Sequence, residues 1–289
     1  MGSGAWSSMS YSSSMASRGV SVDSLCADTV NEFYKARCLS KDLDPYGVKI
    51  RECRDSDEHP NTIPIILALD VTGSMGSACA AVAKKLDEIM TNLYDKIADV
   101  EFMVMGIGDF SYDDSPLQVS QFESDIRILD QLSHIYFERG GGGNGWESYT
   151  AAWYFASRHT DLDCWKRGQK GIIITLGDEP LNPYLPAKYL KEVTGDQNIQ
   201  GDIETKDLYE EVTEKYDVYH VVITDRAASA AHYMPRIDKS FGQYLDGQHL
   251  IKSESDDLPQ VITDIVMNRE FAPAVVATPL QIDADGIGW

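Results

Sequence analysis

One segment, IPIILALDVTGSMG at residues 63–76, limits what this chain can fold into more than any other. An apolar, largely β-branched run stops at Asp70, hydroxyls follow at Thr72 and Ser74, and a helical pattern begins after them. Such a run is typical of a parallel strand buried on both faces of its sheet. The acid and the hydroxyls then lie at the carboxyl end of the strand, where open α/β sheets bind ligands. Oxygen ligands of this kind favour a hard cation, Mg²⁺ first, with Mn²⁺ or Ca²⁺ as alternatives.

Strand-like and helix-like patterns alternate along the rest of the chain. The predicted strands span 63–70, 100–109, 116–122, 171–180, 216–225 and 249–253, and the predicted helices span 77–98, 124–135, 147–159 and 258–271. This alternation predicts an α/β fold with a doubly wound, mostly parallel sheet flanked by helices. Because parallel strands share one carboxyl edge, we expect Asp70, Asp109 and Asp178 to meet there, whereas Asp225 is expected to cap a helix.

Composition divides the chain into four parts. Residues 1–22 are rich in Ser, with Gly and Met and without periodicity, so we expect a flexible arm that is dispensable for folding. Residues 23–62 read as an N-terminal extension, helical over 23–39 and a turn-rich connector afterwards. The main domain is predicted at 63–271, and a C-terminal tail at 272–289.

The charge balance excludes two classes of partner. Acidic residues number 46 against 25 Lys and Arg, which gives a formal net charge of −21. Nucleic acid and anionic membranes need a basic face, so we expect the chain to bind neither. The five cysteines form no CxxC pair, and the N-terminus has neither a basic nor an apolar leader segment. These features favour the cytoplasm, or a particle assembled there.

The Asp-x-Thr-x-Ser pattern after a buried strand resembles the metal-ion-dependent adhesion site (MIDAS) of von Willebrand factor A (VWA) domains. The family motif is Asp-x-Ser-x-Ser, and Thr72 keeps the hydroxyl of the first serine. On these residues alone, a strand-turn-helix with Thr72 or Ser74 as the helix cap is the alternative. The segments GGGGNGWES (140–148) and TLGDEP (175–180) stand where the family has its second and third metal loops. The resemblance covers about residues 63–270 and implies a VWA, Rossmann-like fold.

The resemblance also implies which residues hold the metal. Asp70, Thr72 and Ser74 would come from the first loop, and Asp178 would come from the third. The second loop is closest to the VWA subgroup found beside alpha-kinase domains, whose loop reads Gly-Gly-Gly-Asp-x-Pro-Glu; no kinase domain is present in this sequence. Here Asn144, Trp146 and Glu147 stand at the Asp, Pro and Glu positions.

Typical second loops supply a neutral Thr, which leaves two ways to complete this site. Either Glu147 ligates the metal directly, or Ser148 supplies a hydroxyl while Glu147 orients a water. Asp109 and Asn144 are expected behind the ligands, with Asp109 holding a water or the Thr72 hydroxyl.

The resemblance implies a non-enzymatic, divalent-metal-dependent protein-binding domain of an adaptor or assembly protein. Its partner would be a protein, either an AAA+ ATPase or an assembly component. A structural subunit of a multiprotein particle, with a metal that only stabilises the fold, is the alternative. A Mg²⁺-dependent hydrolase is less favoured, because Thr72 stands where a phosphotransferase has its second acid and no Lys lies near the loop ends.

Overall fold

A computed structural model describes residues 4–26, 28–97, 99–138, 143–225 and 227–268, with the backbone alone at 227–232 and 268. The strands are β1 Arg51–Cys53, β2 Ile63–Asp70, β3 Val100–Ile107, β4 Leu117–Val119, β5 Thr160–Leu162, β6 Gly171–Gly177, β7 Tyr184–Leu185, β8 Ile203–Glu204, β9 Tyr216–Ile223 and β10 Leu250–Ser253. The helices are α1 Ser8–Ser17, α2 Val30–Phe33, α3 Gly76–Tyr94, α4 Arg127–Ser133, α5 Thr150–Arg158, α6 Asp163–Lys166, α7 Ala187–Thr194, α8 Thr205–Lys215, α9 Ala227–Phe241 and α10 Leu258–Asn268.

The central sheet has six strands in the order β4-β3-β2-β6-β9-β10. All neighbours pair in parallel except β3 and β4, which are antiparallel. Numbered among themselves along the chain, the six strands follow the order 3-2-1-4-5-6 of a doubly wound sheet. The predicted α/β fold class is therefore confirmed, and the direction of winding reverses between β2 and β6.

Two apolar cores cover the two faces of this sheet. The side chains of β2 alternate between them, with Ile65, Leu67 and Leu69 on one face and Ile66 and Ala68 on the other. The first core lies under α3 and α10, and the second lies under α5, α8 and α9. This burial on both faces explains the continuous apolar run of β2. Among the described residues, no helix combines the length and the apolar character that a bilayer crossing requires.

The strand ends differ from the prediction by a few residues. The predicted strands 100–109, 171–180 and 216–225 stop at Ile107, Gly177 and Ile223. Their terminal aspartates therefore lie in loops, where a carboxylate can turn toward backbone amides. Only Asp70 remains the last residue of its strand. Asp225 accepts from the amide of Ser255 at 2.6 Å, so it caps a turn after β10. Its predicted capping of the following helix stays a prediction, because residue 226 lies outside the described residues.

The prediction of a flexible N-terminal arm is wrong for residues 8–17, whereas its being dispensable for folding stays a prediction. They form α1, which packs against α3 with Tyr11 and Met15 only 4% and 1% exposed. The Tyr11 hydroxyl lies 2.9 Å from the carbonyl oxygens of Ala83 and Lys84, and the indole of Trp6 donates to Asp87 at 2.8 Å. Two large side chains spaced i, i+4 in a Ser-rich background are enough to anchor a helix on a groove that the rest of the fold supplies.

The predicted continuous helix over 23–39 is also wrong: the described residues of this range form a 3-10 turn that ends at Ser24 and the short α2. Leu25, Val30 and Phe33 are buried as the predicted face required, with Val30 and Phe33 in α2 and Leu25 in the irregular chain before it. The connector then adds β1, which pairs in parallel with β5. The helices α7, α8 and α9 were not predicted. The C-terminal tail 272–289 lies outside the described residues.

Candidate metal centre

The acid and the hydroxyls of the first loop lie where the winding of the sheet reverses. Asp70 ends β2, and a short turn of residues 73–75 leads from it into α3. The neighbouring β6 ends at Gly177, so Asp178 follows on the adjacent strand. In doubly wound sheets this crevice, beyond the carboxyl ends of the strands, is where ligands bind.

Hydrogen bonds join the four residues predicted from the first and third loops. Asp70 is fully buried, and its Oδ1 accepts from the amide of Thr72 at 2.9 Å and from the Thr72 hydroxyl at 2.7 Å. The Ser74 hydroxyl donates to Asp178 Oδ1 at 2.8 Å. The hydroxyl oxygens of Thr72 and Ser74 lie 3.5 Å apart. Two carboxylates and two hydroxyls thus form one continuous chain of oxygen atoms.

The electrostatics of this chain favour a bound cation. Burial, and after it the nearby Asp178, raise the pKa of Asp70 to about 7, because the Thr72 and Tyr149 hydrogen bonds oppose the shift only in part. Among the ion pairs between described residues, none includes Asp70. A positive charge at this position would relieve the cost of burying the carboxylate.

The oxygen atoms present suit a hard divalent cation. Both hydroxyl protons point at carboxylates, so the lone pairs of Thr72 and Ser74 remain available to an ion. Within the described part of the chain, no three His, Cys, Asp or Glu side chains gather into a candidate metal group. A site of two carboxylates and two hydroxyls does not require such a group. The donor set fits Mg²⁺, Mn²⁺ or Ca²⁺ better than a thiol-seeking metal.

The structure adds Tyr149, which the sequence did not indicate. Its hydroxyl donates to Asp70 Oδ2 at 2.9 Å, so both oxygens of that carboxylate are held. The ring packs edge-on against His220, with 5.0 Å between ring centroids, and also against Phe241. A Cβ at Gly177 would overlap the Tyr149 hydroxyl, which explains why glycine precedes Asp178. A glycine at position 177 is compatible with a close contact between its backbone and another side chain, but nothing in the sequence identified Tyr149 as that side chain.

Replacing Gly177 by Ala is expected to lower the free energy of unfolding by about 3 kcal/mol, because the neighbouring rings prevent Tyr149 from retreating. Urea denaturation followed by circular dichroism measures the change. The matched control is Gly201→Ala, because an added Cβ there meets no atom within 4 Å. If the two variants lose equal stability, the Tyr149 contact does not constrain this loop.

Glu147 of the second loop lies against the third loop. Its amide donates to the Pro180 carbonyl at 3.1 Å, and its carbonyl accepts from Asn182 at 3.3 Å. The side chain is buried, and its Oε2 has no hydrogen-bond partner among the described residues. Burial raises the pKa of Glu147 to about 11, and Asp70 is the charge that contributes most to this shift. Glu147 therefore lies within electrostatic reach of the first loop, as a direct ligand or a water-orienting group would.

The other two second-loop candidates, Ser148 and Asn144, form hydrogen bonds with backbone amides. Ser148 Oγ accepts from the amide of Phe110 at 3.1 Å and so fastens the second loop to the segment after β3. Asn144 Oδ1 accepts from the amide of Trp146 at 3.3 Å, within its own loop. The preceding glycines at 140–142 lie outside the described residues.

Asp109 is placed near the site but not as predicted in detail. Its Oδ1 accepts from the amide of Ser111 at 2.6 Å, and its Oδ2 is buried without a hydrogen-bond partner among the described residues. The Thr72 hydroxyl donates to Asp70 here and not to Asp109, which was one of the two roles predicted for Asp109. Asp109 still contributes to the raised pKa of Glu147. The possibility that Asp109 holds a water stays a prediction.

A cation at the edge of this site, Arg236 of α9, was also missed. Its guanidinium donates to the carbonyl of Gly145 at 2.8 Å, and Gly145 has a φ of +74°, which favours glycine. Arg236 also opposes the effects of burial and of Asp178, which together raise the pKa of Glu179 to about 7. This residue lies far along the chain from all three loops, and no pattern in its helix marks it.

No protein-family model and no curated protein sequence matches this chain. Solved structures similar to it include the pilus adhesin SpaC from Lactobacillus rhamnosus GG, with a TM-score of 0.49 and 14% identity over 74% of this chain and 31% of the adhesin. A second is the vWF domain of the type V pili tip protein Mfa5 from Porphyromonas gingivalis, with a TM-score of 0.43 and 9% identity over 72% of this chain and 95% of that domain. A third is proximal thread matrix protein 1 from the mussel byssus, with a TM-score of 0.40 and 11% identity over 71% of this chain and 45% of that protein.

The chain therefore spans about a third of the length of the adhesin. Identities this low concern the fold alone, and the fold class stated above rests on the strand order of the sheet.

Proposed function

We propose that this chain is a non-enzymatic, VWA-type protein-binding domain with a MIDAS-like site whose binding depends on a divalent cation, Mg²⁺ first. The observation that carries the proposal is the buried chain of oxygen atoms that runs from Asp70 through Thr72 and Ser74 to Asp178 at the switch point of the sheet. The cation, when bound, would supply an electrophilic centre that attracts an oxygen ligand from a partner. The side chains of Asp70, Thr72, Ser74 and Asp178 would hold and orient it, and the Tyr149 hydroxyl fixes Asp70.

The partner in this proposal is a protein, an AAA+ ATPase or an assembly component, met in the cytoplasm or in a particle formed there. The alternative of a particle subunit assigned its contacts to the Ser-rich arm and the tail. Tyr11 and Met15 of that arm pack against their own domain, so the inner face of α1 is already occupied, while its outer face stays exposed. The arm is therefore at least in part an element of the domain rather than a free contact segment.

A pull-down with the purified chain as bait tests the proposal. We expect a partner to bind in Mg²⁺, to be lost in EDTA, and to be absent with the Asp70→Ala variant. A partner retained in EDTA and by the variant would favour the particle subunit, in which the metal only stabilises the fold. Hydrolysis of p-nitrophenyl phosphate that requires both Mg²⁺ and Asp70 would instead favour the hydrolase.

The second loop decides how strongly the site attracts an acidic partner. If Glu147 ligates directly, three carboxylates surround the cation, and charges ~4 Å apart near a surface interact by roughly 4 kcal/mol before desolvation. Glu147→Thr should then weaken Mg²⁺ binding and strengthen binding of an acidic peptide. Calorimetric titration with Mg²⁺ and then with the peptide measures both. If Glu147 only orients a water, the affinities for Mg²⁺ and for the peptide should both fall in the Glu147→Thr variant. If the variant equals wild type in both titrations, Glu147 is not part of the site.

A further inference from the structure

A groove of about 520 Å³ lies beside the candidate metal centre. Its walls are the loop from Phe110 to Leu117 between β3 and β4, the end of α7 around Val193, and the connector near Tyr46. The apolar side chains of Phe110, Leu117 and Val193 line it, and Phe110 and Leu117 are buried in the second core. A groove of this size accommodates a few side chains of a peptide.

The rim of this groove carries exposed tyrosines. Tyr46 and Tyr112 are 65% and 57% exposed, which places them among the most exposed large apolar side chains of the described residues. Tyr189, which is half-buried, also lines the groove, and the ammonium of Lys188 lies 4.9 Å from the centre of its ring. The rings of Tyr46 and Tyr112 remain open to solvent. Exposed aromatic side chains around a concave surface are typical of protein-binding sites.

Charge decides what kind of segment fits. Four carboxylates line the groove, from Asp44, Asp113, Asp114 and Glu192. None of the described lining residues is Lys or Arg. A cationic side chain would meet carboxylates on the rim and a tyrosine face within the same space, and both interactions favour it. An acidic or neutral apolar segment would gain neither.

The loop that lines the groove also contacts segments of the candidate metal centre. Asp113 Oδ2 accepts from the amide of Asp109 at 2.6 Å, and Asp113 contributes to the raised pKa of the buried Glu147. The Tyr112 hydroxyl lies against Gly143 of the second loop. A partner seated at the strand ends would therefore reach the groove with the next part of its surface.

We propose that this groove, between Tyr46, Tyr112 and the four carboxylates, binds a basic segment of a partner protein, with an Arg or Lys side chain flanked by apolar residues. The inference rests on the proposed protein-binding function and names the chemistry of the partner. The binding itself requires no metal.

Calorimetry with three blocked hexapeptides tests the inference in EDTA. The first carries two arginines and two leucines, the second has glutamine in place of arginine, and the third has glutamate. We expect the arginine peptide to bind at least tenfold more tightly than the other two. Tyr112→Ala and the double variant Asp114→Asn, Glu192→Gln should each weaken it about tenfold.

Matched controls separate the groove from general charge attraction. Tyr184→Ala removes another exposed tyrosine, and the double variant Asp207→Asn, Glu214→Gln removes two exposed acids from α8. These variants should bind the arginine peptide as wild type does. If the groove variants and the control variants lose affinity for the arginine peptide equally, the peptide binds through the net charge of the protein, and the inference is overturned. Failure of the arginine peptide while the glutamate peptide binds in Mg²⁺ would also overturn it, yet would leave the proposed metal-dependent function standing.

Discussion

Replacing Tyr11 and Met15 together by alanine is expected to lower the free energy of unfolding by about 5 kcal/mol. Both side chains are buried between α1 and α3, and the Tyr11 hydroxyl also bonds to the backbone of α3. Removing a buried Met or aromatic side chain costs ~2–5 kcal/mol each, and neighbouring losses are not strictly additive. The whole domain is worth ~5–15 kcal/mol, so this pair is expected to matter as much as a core substitution.

Urea denaturation of the double variant checks this expectation. The control is Ser12→Ala with Ser13→Ala, because both serines lie on the exposed side of the same helix and Ala is a better helix former. Those substitutions should leave stability within about 0.5 kcal/mol of wild type. If the Tyr11 and Met15 variant is equally unaffected, α1 does not stabilise the domain and the dispensable arm predicted from the sequence is right.

The metal-free protein should lose stability as the pH rises from about 4 to 8. The pKa of Asp70 is raised from its ordinary value of 3.8 to about 7 by burial and by Asp178. Between these two values the folded state keeps a proton that the unfolded state releases, so each pH unit costs about 1.4 kcal/mol. Asp70 alone then accounts for about 4 kcal/mol. Glu147, whose pKa is also raised, acts in the same direction and continues to act above pH 7.

Urea denaturation at pH 5 and at pH 8 in EDTA measures this slope. Asp70→Asn is the matched variant, because it keeps the shape of the side chain and removes the titrating proton. Its stability should change less than wild type between the two pH values. Adding Mg²⁺ at pH 8 should restore wild type but not the variant, since metal ligands must be deprotonated. If wild type is more stable at pH 8 than at pH 5 in EDTA, the prediction is wrong. Other groups of the chain would then stabilise the charged forms of the buried carboxylates.

The part of the site that could be predicted is the part encoded in consecutive residues. A buried strand ending at Asp70, followed by Thr72 and Ser74, fixes both the place of the loop in the sheet and the chemistry of its side chains. Asp178 follows from the same rule applied to β6, because parallel strands end on one edge. The structure joins all four residues.

What the sequence could not supply depends on contacts between distant segments. Tyr149 reaches Asp70 across 79 positions, and Arg236 reaches Gly145 across 91. Periodicity carries no information about such pairs. The prediction of a flexible N-terminal segment failed for a related reason, since α1 is stabilised by packing on α3 rather than by its own Ser-rich sequence. The second-loop ligand stays a prediction, because Glu147 is buried nearby while Ser148 bonds to Phe110.

Calorimetric titration of Mg²⁺ into the purified chain tests the proposed metal site most directly. Wild type should bind one ion saturably, Ser74→Ala should bind it about tenfold more weakly, and Asp70→Ala should not bind it while its circular dichroism stays unchanged. Ser77→Ala is the matched control, because that hydroxyl lies in the first turn of α3, three residues after Ser74, and contacts Ser255 instead. The control should equal wild type. Undiminished Mg²⁺ binding by Asp70→Ala would contradict the assignment of this site.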